Sequence, residues 1–470
     1  VFSIANSTHD RLLGNQLTDT FGGAFALGTL TGQGLTGGTS QLPIVYAGDF
    51  GNALCGEGPA ELGPTCADNT GATNPFPPGT FNGQIVVCDR GTYGRIEKGR
   101  NVLDAGAAGM ILANTDAEGE STNNDQHCLP ATHLGDQDGD RLRDWLAGGS
   151  NHSGRLTGAA RLVNPAFGGI INSSSSRGPA AFAPNVMKPN VTAPGTNVLA
   201  AGEDGANSLL FLTGTSMSAP HVTGAALLLR TANPGWGVNE VISALETTAD
   251  PGVNSNEDGS VATTVDRGAG NVRVDRAARI GLFLPVGSGQ FQAANPNAGG
   301  SPGDLNLPGI ASDNCEVECI FQRTVRALGA GSWSVSSEGP LDIEVSPASF
   351  SLSAGQERTL SVTIRPGAAA VGSWGTGSVV LTPTGGGFIE QRLPVGAFIT
   401  GGTFPELTPI DALDFRGRTD LQIPALIPAD ELVVRTSALT RPMEFSDLLA
   451  QDPTPQDPFN GGPGVRTRLV

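Results

Sequence analysis

The hydrophobic and polar positions of this chain change period along its length. A short apolar run, Gln84-Ile85-Val86-Val87-Cys88, precedes helical spacing from Ile96 to Ala107. A second apolar run follows, Gly109-Met110-Ile111-Leu112-Ala113-Asn114. That strand–helix–strand order predicts a small α/β or β-rich module. Asp138-Gly139-Asp140 opens another helix, Arg141 to Ala147, which Gly148-Gly149 ends. Further on, a small-residue helix is expected from Ser216 to Ala232, buried on most sides because small residues allow close approach. A second, Val238 to Thr247, follows the Asn233-Pro234-Gly235 turn. Beyond a Gly/Asn/Pro stretch the period becomes two. Leu341-Asp342-Ile343-Glu344-Val345 alternates, as does Leu360 to Arg365. Short strands between Gly/Pro turns argue for a β-sandwich.

The chain has 470 residues and a formal net charge of −18, which excludes a basic nucleic-acid or membrane-binding surface. Charged residues are only 15% of the chain and glycines number 67, the marks of a turn-rich globular protein. No apolar run is long enough for a transmembrane helix, and no signal peptide is seen. The opening Val1-Phe2-Ser3-Ile4-Ala5 has no initiator Met and reads like the middle of a strand, so the gene product is expected to start upstream. Lysine is confined to Lys98 and Lys188 while arginine is plentiful, which we read as a bacterial, high-GC source.

The cysteines are Cys55, Cys66, Cys88, Cys128, Cys315 and Cys319. They form no C-x-x-C pair, and the histidines (His9, His127, His133, His152, His221) do not complete a zinc spacing. Disulfides in an oxidising, extracellular compartment are the preferred reading, with buried thiols the alternative. Cys315–Cys319 requires a turn between its members, Cys55–Cys66 is similarly plausible, and Cys88–Cys128 is then left; sequence does not fix these pairings. Asp136, Asp138 and Asp140 suggest a calcium loop, but Arg141 stands where an EF-hand needs Gly. Asn254, Asn256, Asp258 and Gly259 start a similar pattern that ends on Val265 rather than Glu. No cofactor is therefore expected, a structural calcium having no complete motif; the first stretch reads as an acid-rich helix N-terminus and the second as a polar loop.

The strongest chemical signal is Gly214-Thr215-Ser216-Met217-Ser218-Ala219-Pro220-His221. A serine in the first turn of a helix sits beside unpaired N–H groups and the positive helix end, which can stabilise an oxyanion. The bland alternative is an N-capping serine. Three other segments decide between them. Gly-Thr-Ser-Met-Ser-Ala-Pro-His-Val closely resembles the nucleophile motif of the subtilisin-like serine peptidases. Ser175-Ser176-Arg177-Gly178-Pro179, Lys188-Pro189-Asn190-Val191-Thr192-Ala193-Pro194-Gly195 and Asp266-Arg267-Gly268-Ala269-Gly270 resemble further motifs of that family, in order. Asn190 stands where the family usually has Asp, with a small local effect expected.

The resemblance implies that Ser216 is the acyl-forming nucleophile and that its backbone N–H is one oxyanion donor. Met217 becomes an oxidation-sensitive neighbour. His221 is rejected as the base, because five residues along one helix it points away from Ser216. Subtilisins order their triad Asp, His, Ser. The family's Asp and His motifs do not occur here, and His9-Asp10-Arg11 matches a non-catalytic segment instead. The chain thus resembles the C-terminal part of such an enzyme, with the missing N-terminal half as a partner, inactive alone.

Phe81 to Cys88, Glu97-Lys98 and Asp104 to Ile111 resemble a protease-associated (PA) domain. Asp304-Leu305-Asn306-Leu307-Pro308 with Arg323-Thr324-Val325 resembles a fibronectin type III-like domain. The expected fold is α/β: a partial subtilisin-like parallel-sheet domain, a β-rich PA insert and an antiparallel β-sandwich. The expected boundaries are 1–35 and 167–284 for the catalytic portion, 36–166 for the PA insert and 285–303 for a linker. The sandwich takes 304–400 and a poorly ordered tail 401–470. The implied function is a secreted serine endopeptidase acting on proteins or peptides. The alternative is a non-catalytic interaction module in which Ser216 is vestigial.

Overall fold

The computed structural model describes residues 2–58, 66, 69, 73–202, 208–253 and 255–400. The expected tail 401–470 and the first member of the Asn254 loop lie outside the described residues.

The two apolar runs become strands Ile85–Asp89 and Gly109–Ala113, paired in parallel with Ile85 opposite Gly109. Both are almost wholly buried, because helix α1 (Arg95–Asp104) and helix α2 (Asp136–Ala147) accompany the sheet they belong to. A parallel strand covered on both faces needs an unbroken apolar run rather than alternation. Two clusters fill the module: one around Phe76, Phe81, Val86 and Met110, the other around Leu17, Ile85, Ile111 and Trp145. Eight strands form the sheet, and it reaches back to Arg11. Strand Arg11–Gly23 pairs with Gly149–Leu156, Ala160–Val163 and Leu30–Gln33. Strands Arg11–Gly23 and Leu30–Gln33 therefore join this sheet, although the expected boundaries placed them in the catalytic segment 1–35. Their glycines and alternating polar positions hide a half-exposed strand.

Strand Ile4–Ser7 opens a second sheet. It pairs in parallel with Val191–Pro194 and antiparallel with Ile170–Ile171, which in turn pairs with Ser255–Asn256. Helix α3 (Thr215–Ala232) buries one stripe, Ser218, Val222, Ala225 and Leu229. Its apolar members share a core with Val191, Ala193 and helix α4 (Val238–Thr247). The expectation that α3 is buried on most sides is corrected. Leu227 and Leu228 are exposed, because only one side of the helix faces the sheet.

The period-two segment folds as expected into a sandwich. One sheet orders Leu282–Phe283, Cys319–Ala327, Glu357–Arg365 and Asp342–Ser346; the other has five strands. Leu360, Val362 and Ile364 point inward at every second position. Trp333 stacks between Phe350 and Phe388, at 5.6 and 5.9 Å between ring centres. One pairing departs from antiparallel order: Ile310–Cys315 runs parallel to Gln391–Ile399. The stretch read as a linker carries a short helix, Ser288–Ala293.

The disulfides are Cys55–Cys88, Cys66–Cys128 and Cys315–Cys319, with Cα separations of 5.8, 5.4 and 5.6 Å. The pairings Cys55–Cys66 and Cys88–Cys128 are thereby corrected. Cys88 lies in the buried strand, and Cys55 is packed into the same core, so the sheet brings them together. Sequence proximity had favoured the wrong neighbour.

Candidate active site

Gly195 and Gly214 bring two loops together below Ser216. The Gly214 N–H donates to Gly195 O at 2.9 Å. A Cβ on Gly195 would fall onto Ser218 Oγ, Asn6 Oδ1 and Gly214 O, so only glycine permits this approach. Helix α3 starts there. Met217 and Ser218 N–H both donate to Gly214 O, at 3.0 and 3.4 Å. Among the described residues the Ser216 N–H has no acceptor, one of the orphan donors of the first turn. Ser216 itself is exposed, and its hydroxyl has no hydrogen-bond partner among the described residues. Ser218, two positions on, is instead locked: its hydroxyl donates to Ala193 O at 2.9 Å.

The four sequence motifs meet around strand Val191–Pro194. Arg177 pairs with Asp266 at 3.0 Å, and Gly178 N–H donates to Val265 O at 2.8 Å. Thr192 Oγ1 donates to Arg267 O, while Ala269 N–H donates to Asn190 O. Asn6 N–H donates to Ser175 Oγ, which ties the first strand to the same hub.

No histidine is hydrogen-bonded to Ser216 among the described residues. His221 Nδ1 lies 2.8 Å from Met217 O, back along its own helix. His9 and His221 line a cleft of about 590 Å³ beside α3, with Leu12, Asn197, Leu199 and Phe211. In the PA-type module His127 is half-buried and His133 buried, and desolvation pushes them down to about 4 and about 3. His152 faces Gly148 O. Asp138 and Asp140 pair with Arg141 and Arg143 at the start of α2. No group of three or more His, Cys, Asp or Glu suited to a metal occurs among the described residues.

Sequence reasoning missed Asn197, Thr213 and Glu246. Asn197 takes a left-handed conformation (φ 53°) and joins Thr213 to the PA-type module. Glu246 is buried in α4, where its Oε2 accepts from Asn190 Nδ2 at 3.3 Å. Their residue types carry no signal in the sequence; only the fold gives them neighbours.

Comparison with known proteins agrees with this architecture. Residues 40–142 match the PA domain model and residues 304–393 a fibronectin type-III domain model. "Subtilisin-like protease SBT1.7" of Arabidopsis thaliana is 32% identical over 366 residues, 68% of this chain and 47% of that protein. "Subtilisin-like protease SBT1.4" of the same plant is 37% identical over 265 residues, 53% of this chain and 32% of that protein. An aminopeptidase from Aneurinibacillus sp. strain AM-1 aligns structurally over 35% of each chain, with TM-score 0.18 and 18% identity, too little to inform the fold. The chain belongs to the subtilisin-like proteases, and it carries a PA domain and a fibronectin type-III domain. It spans about half the length, or less, of the curated relatives it matches. These relatives are plant proteins, which overturns the bacterial source inferred from the scarcity of lysine. Arginine preference tracks codon composition and is not specific to a lineage.

No helix among the described residues is long and apolar enough to cross a membrane.

Proposed function

We propose that this chain carries the nucleophile of a serine endopeptidase, with Ser216 forming the acyl-enzyme. The observation that carries the reading is an exposed, unbonded Ser216 hydroxyl in the first turn of α3, beside its own unpaired N–H. In the reaction, Ser216 Oγ attacks a peptide carbonyl carbon as a histidine takes its proton. The Ser216 N–H donates to the developing oxyanion. The same histidine then protonates the leaving amine, and water releases the acyl group. Proteins or peptides are the proposed substrates. Residues 36–166 and 304–400 are the proposed accessory domains, with 285–303 as the connection; the catalytic portion is proposed to lie in 1–35 and 167–284, apart from strands Arg11–Gly23 and Leu30–Gln33, which join the PA-type sheet, and Leu282–Phe283, which joins the sandwich.

The histidine and its aspartate are proposed to come from sequence outside these residues. In subtilisin itself, loss of the triad histidine costs about 10⁶ in kcat, a value measured there and not on this chain. By itself the chain is therefore expected to be almost inert. Treatment with a fluorophosphonate probe, with Ser216→Ala as control, tests this. Labelling that vanishes in the variant would mean that a base reaches Ser216 within this chain, overturning the proposed division. Labelling that arises only when the full-length protein is used supports it. No labelling in either form would make Ser216 vestigial and favour an interaction module.

A further inference from the structure

Segment Ser121–Asp125 belongs to the PA-type module and is clamped there by its side chains. Arg90 Nη1 and Asn114 Nδ2 donate to Ser121 O at 2.7 and 2.9 Å. Asn123 N–H donates to His133 Nδ1 at 3.0 Å, and Arg95 Nε pairs with Asp125 at 2.6 Å. The opposite side of the segment meets Asn197, in the loop that follows strand Val191–Pro194. Asn124 N–H donates to Asn197 Oδ1 at 3.1 Å, and Asn197 Nδ2 donates to Thr122 O at 3.2 Å. Asn197 N–H in turn donates to Thr213 Oγ1 at 2.9 Å. Thr213 immediately precedes Gly214 and the first turn of α3. A second link, Asn172 Nδ2 to Ser121 Oγ at 2.8 Å, ties the segment to the end of strand Ile170–Ile171.

We infer that Asn197 is a positioning residue that couples the PA-type module to the turn presenting Ser216. It rests on the reading of Ser216 as nucleophile only for its catalytic consequence. The argument is geometric. Asn197 is buried and uses both ends of its amide across the joint, while its backbone N–H holds the Thr213 hydroxyl. Asparagine suits the place because its short polar side chain tolerates the left-handed backbone. A rigid segment on one side and a turn on the other share one residue, so a shift of either changes the hydrogen bonds of both. Any ligand or contact that moves segment 121–125 thereby acts on the Ser216 turn. Coupling of this kind is reciprocal.

Hydrogen exchange on the 470-residue chain tests the inference without requiring activity. Asn197→Gly keeps the left-handed backbone and removes the amide bridges. Exchange is expected to rise about tenfold in both 121–125 and 213–218, the equivalent of one lost hydrogen bond. Thr213→Val alters only the α3 side and is expected to raise exchange across the joint, in 121–125, several-fold. Asn197→Asp keeps the acceptor for Asn124 and is expected to restore part of the protection. A rise confined to the side substituted would overturn the coupling, as would unchanged exchange in every variant. Should Asn197→Gly fail to fold, Thr213→Val decides the matter alone. Probe labelling of Ser216 is followed in parallel in the full-length protein. Wild-type protein that exchanges as expected but never labels would sink the nucleophile reading and leave the coupling standing. Labelling without cross-joint exchange would do the reverse.

Discussion

Asn190 donates its side-chain amide to the buried carboxyl of Glu246 across 3.3 Å, while its Oδ1 accepts from Lys188 Nζ at 2.8 Å. An aspartate at 190 would set two carboxylates against each other inside the core. Asparagine avoids that repulsion and still bridges Lys188 to α4. The substitution expected to have a small local effect thus shapes a buried polar contact. Burial raises Glu246 to about 7, although Asn190, Lys188, the Gly309 backbone and Arg323 pull it part of the way back.

This has a pH consequence. Glu246 holds its proton more tightly in the folded state than in the unfolded chain. The associated stability is fully present below about 4.5 and is lost as pH rises through about 7. The magnitude is on the order of 3 kcal/mol. Glu246→Gln is expected to flatten this slope and to be more stable than the parent at pH 8. Melting temperatures from pH 4.5 to 8 measure it; a slope unchanged by the substitution would refute the assignment.

Gly195→Ala is expected to destabilise the fold by roughly 1–3 kcal/mol, the usual cost of overpacking. Its methyl would meet Ser218 Oγ, Asn6 Oδ1 and Gly214 O, two of them on elements that cannot yield without moving the α3 turn. Urea unfolding of the variant reads the loss. A variant as stable as the parent would mean that the two loops are farther apart than described.

Adjacent leucines in α3 should behave oppositely. Leu227 and Leu228 are 67% and 62% exposed, whereas Leu229 is 1% exposed within the core. Leu229→Ala is expected to cost about 2–5 kcal/mol. Leu227→Ser with Leu228→Ser should change the stability of this chain by less than about 1 kcal/mol in total. Thermal melts of the two variants decide it, and comparable losses would show that the leucine face is covered.

Peptide mapping under non-reducing conditions should recover Cys55 with Cys88 and Cys66 with Cys128. Removing Cys55–Cys88, which closes a separation of 33 residues, should cost about 3–4 kcal/mol in the chain-entropy view. Loss of Cys315–Cys319, with a separation of 4, should cost about half as much. Recovery of Cys55 with Cys66 instead would contradict the described core.

Much of this protein is legible in its residues because the relevant forces are local. The Val238–Thr247 helix follows from helical spacing behind an Asn-Pro-Gly turn, and its observed bounds agree with that reading. Leu360, Val362 and Ile364 alternate with polar residues, which is enough to specify a strand with one buried face. The Gly-Thr-Ser motif likewise marked the turn that exposes Ser216.

Other features depend on which distant segments meet. Cys88 pairs with Cys55 because a parallel sheet and its core bring them together, not because they are neighbours in sequence. Strand Arg11–Gly23 exists because it has partners more than a hundred residues away, among them Gly149–Leu156. The exposure of Leu227 reflects the single sheet face that α3 covers. Asn197 becomes a joint only when segment 121–125 lies against it. Periodicity and turn chemistry are written in consecutive residues; burial and long-range hydrogen bonds are set by the packing of segments that the chain itself keeps far apart.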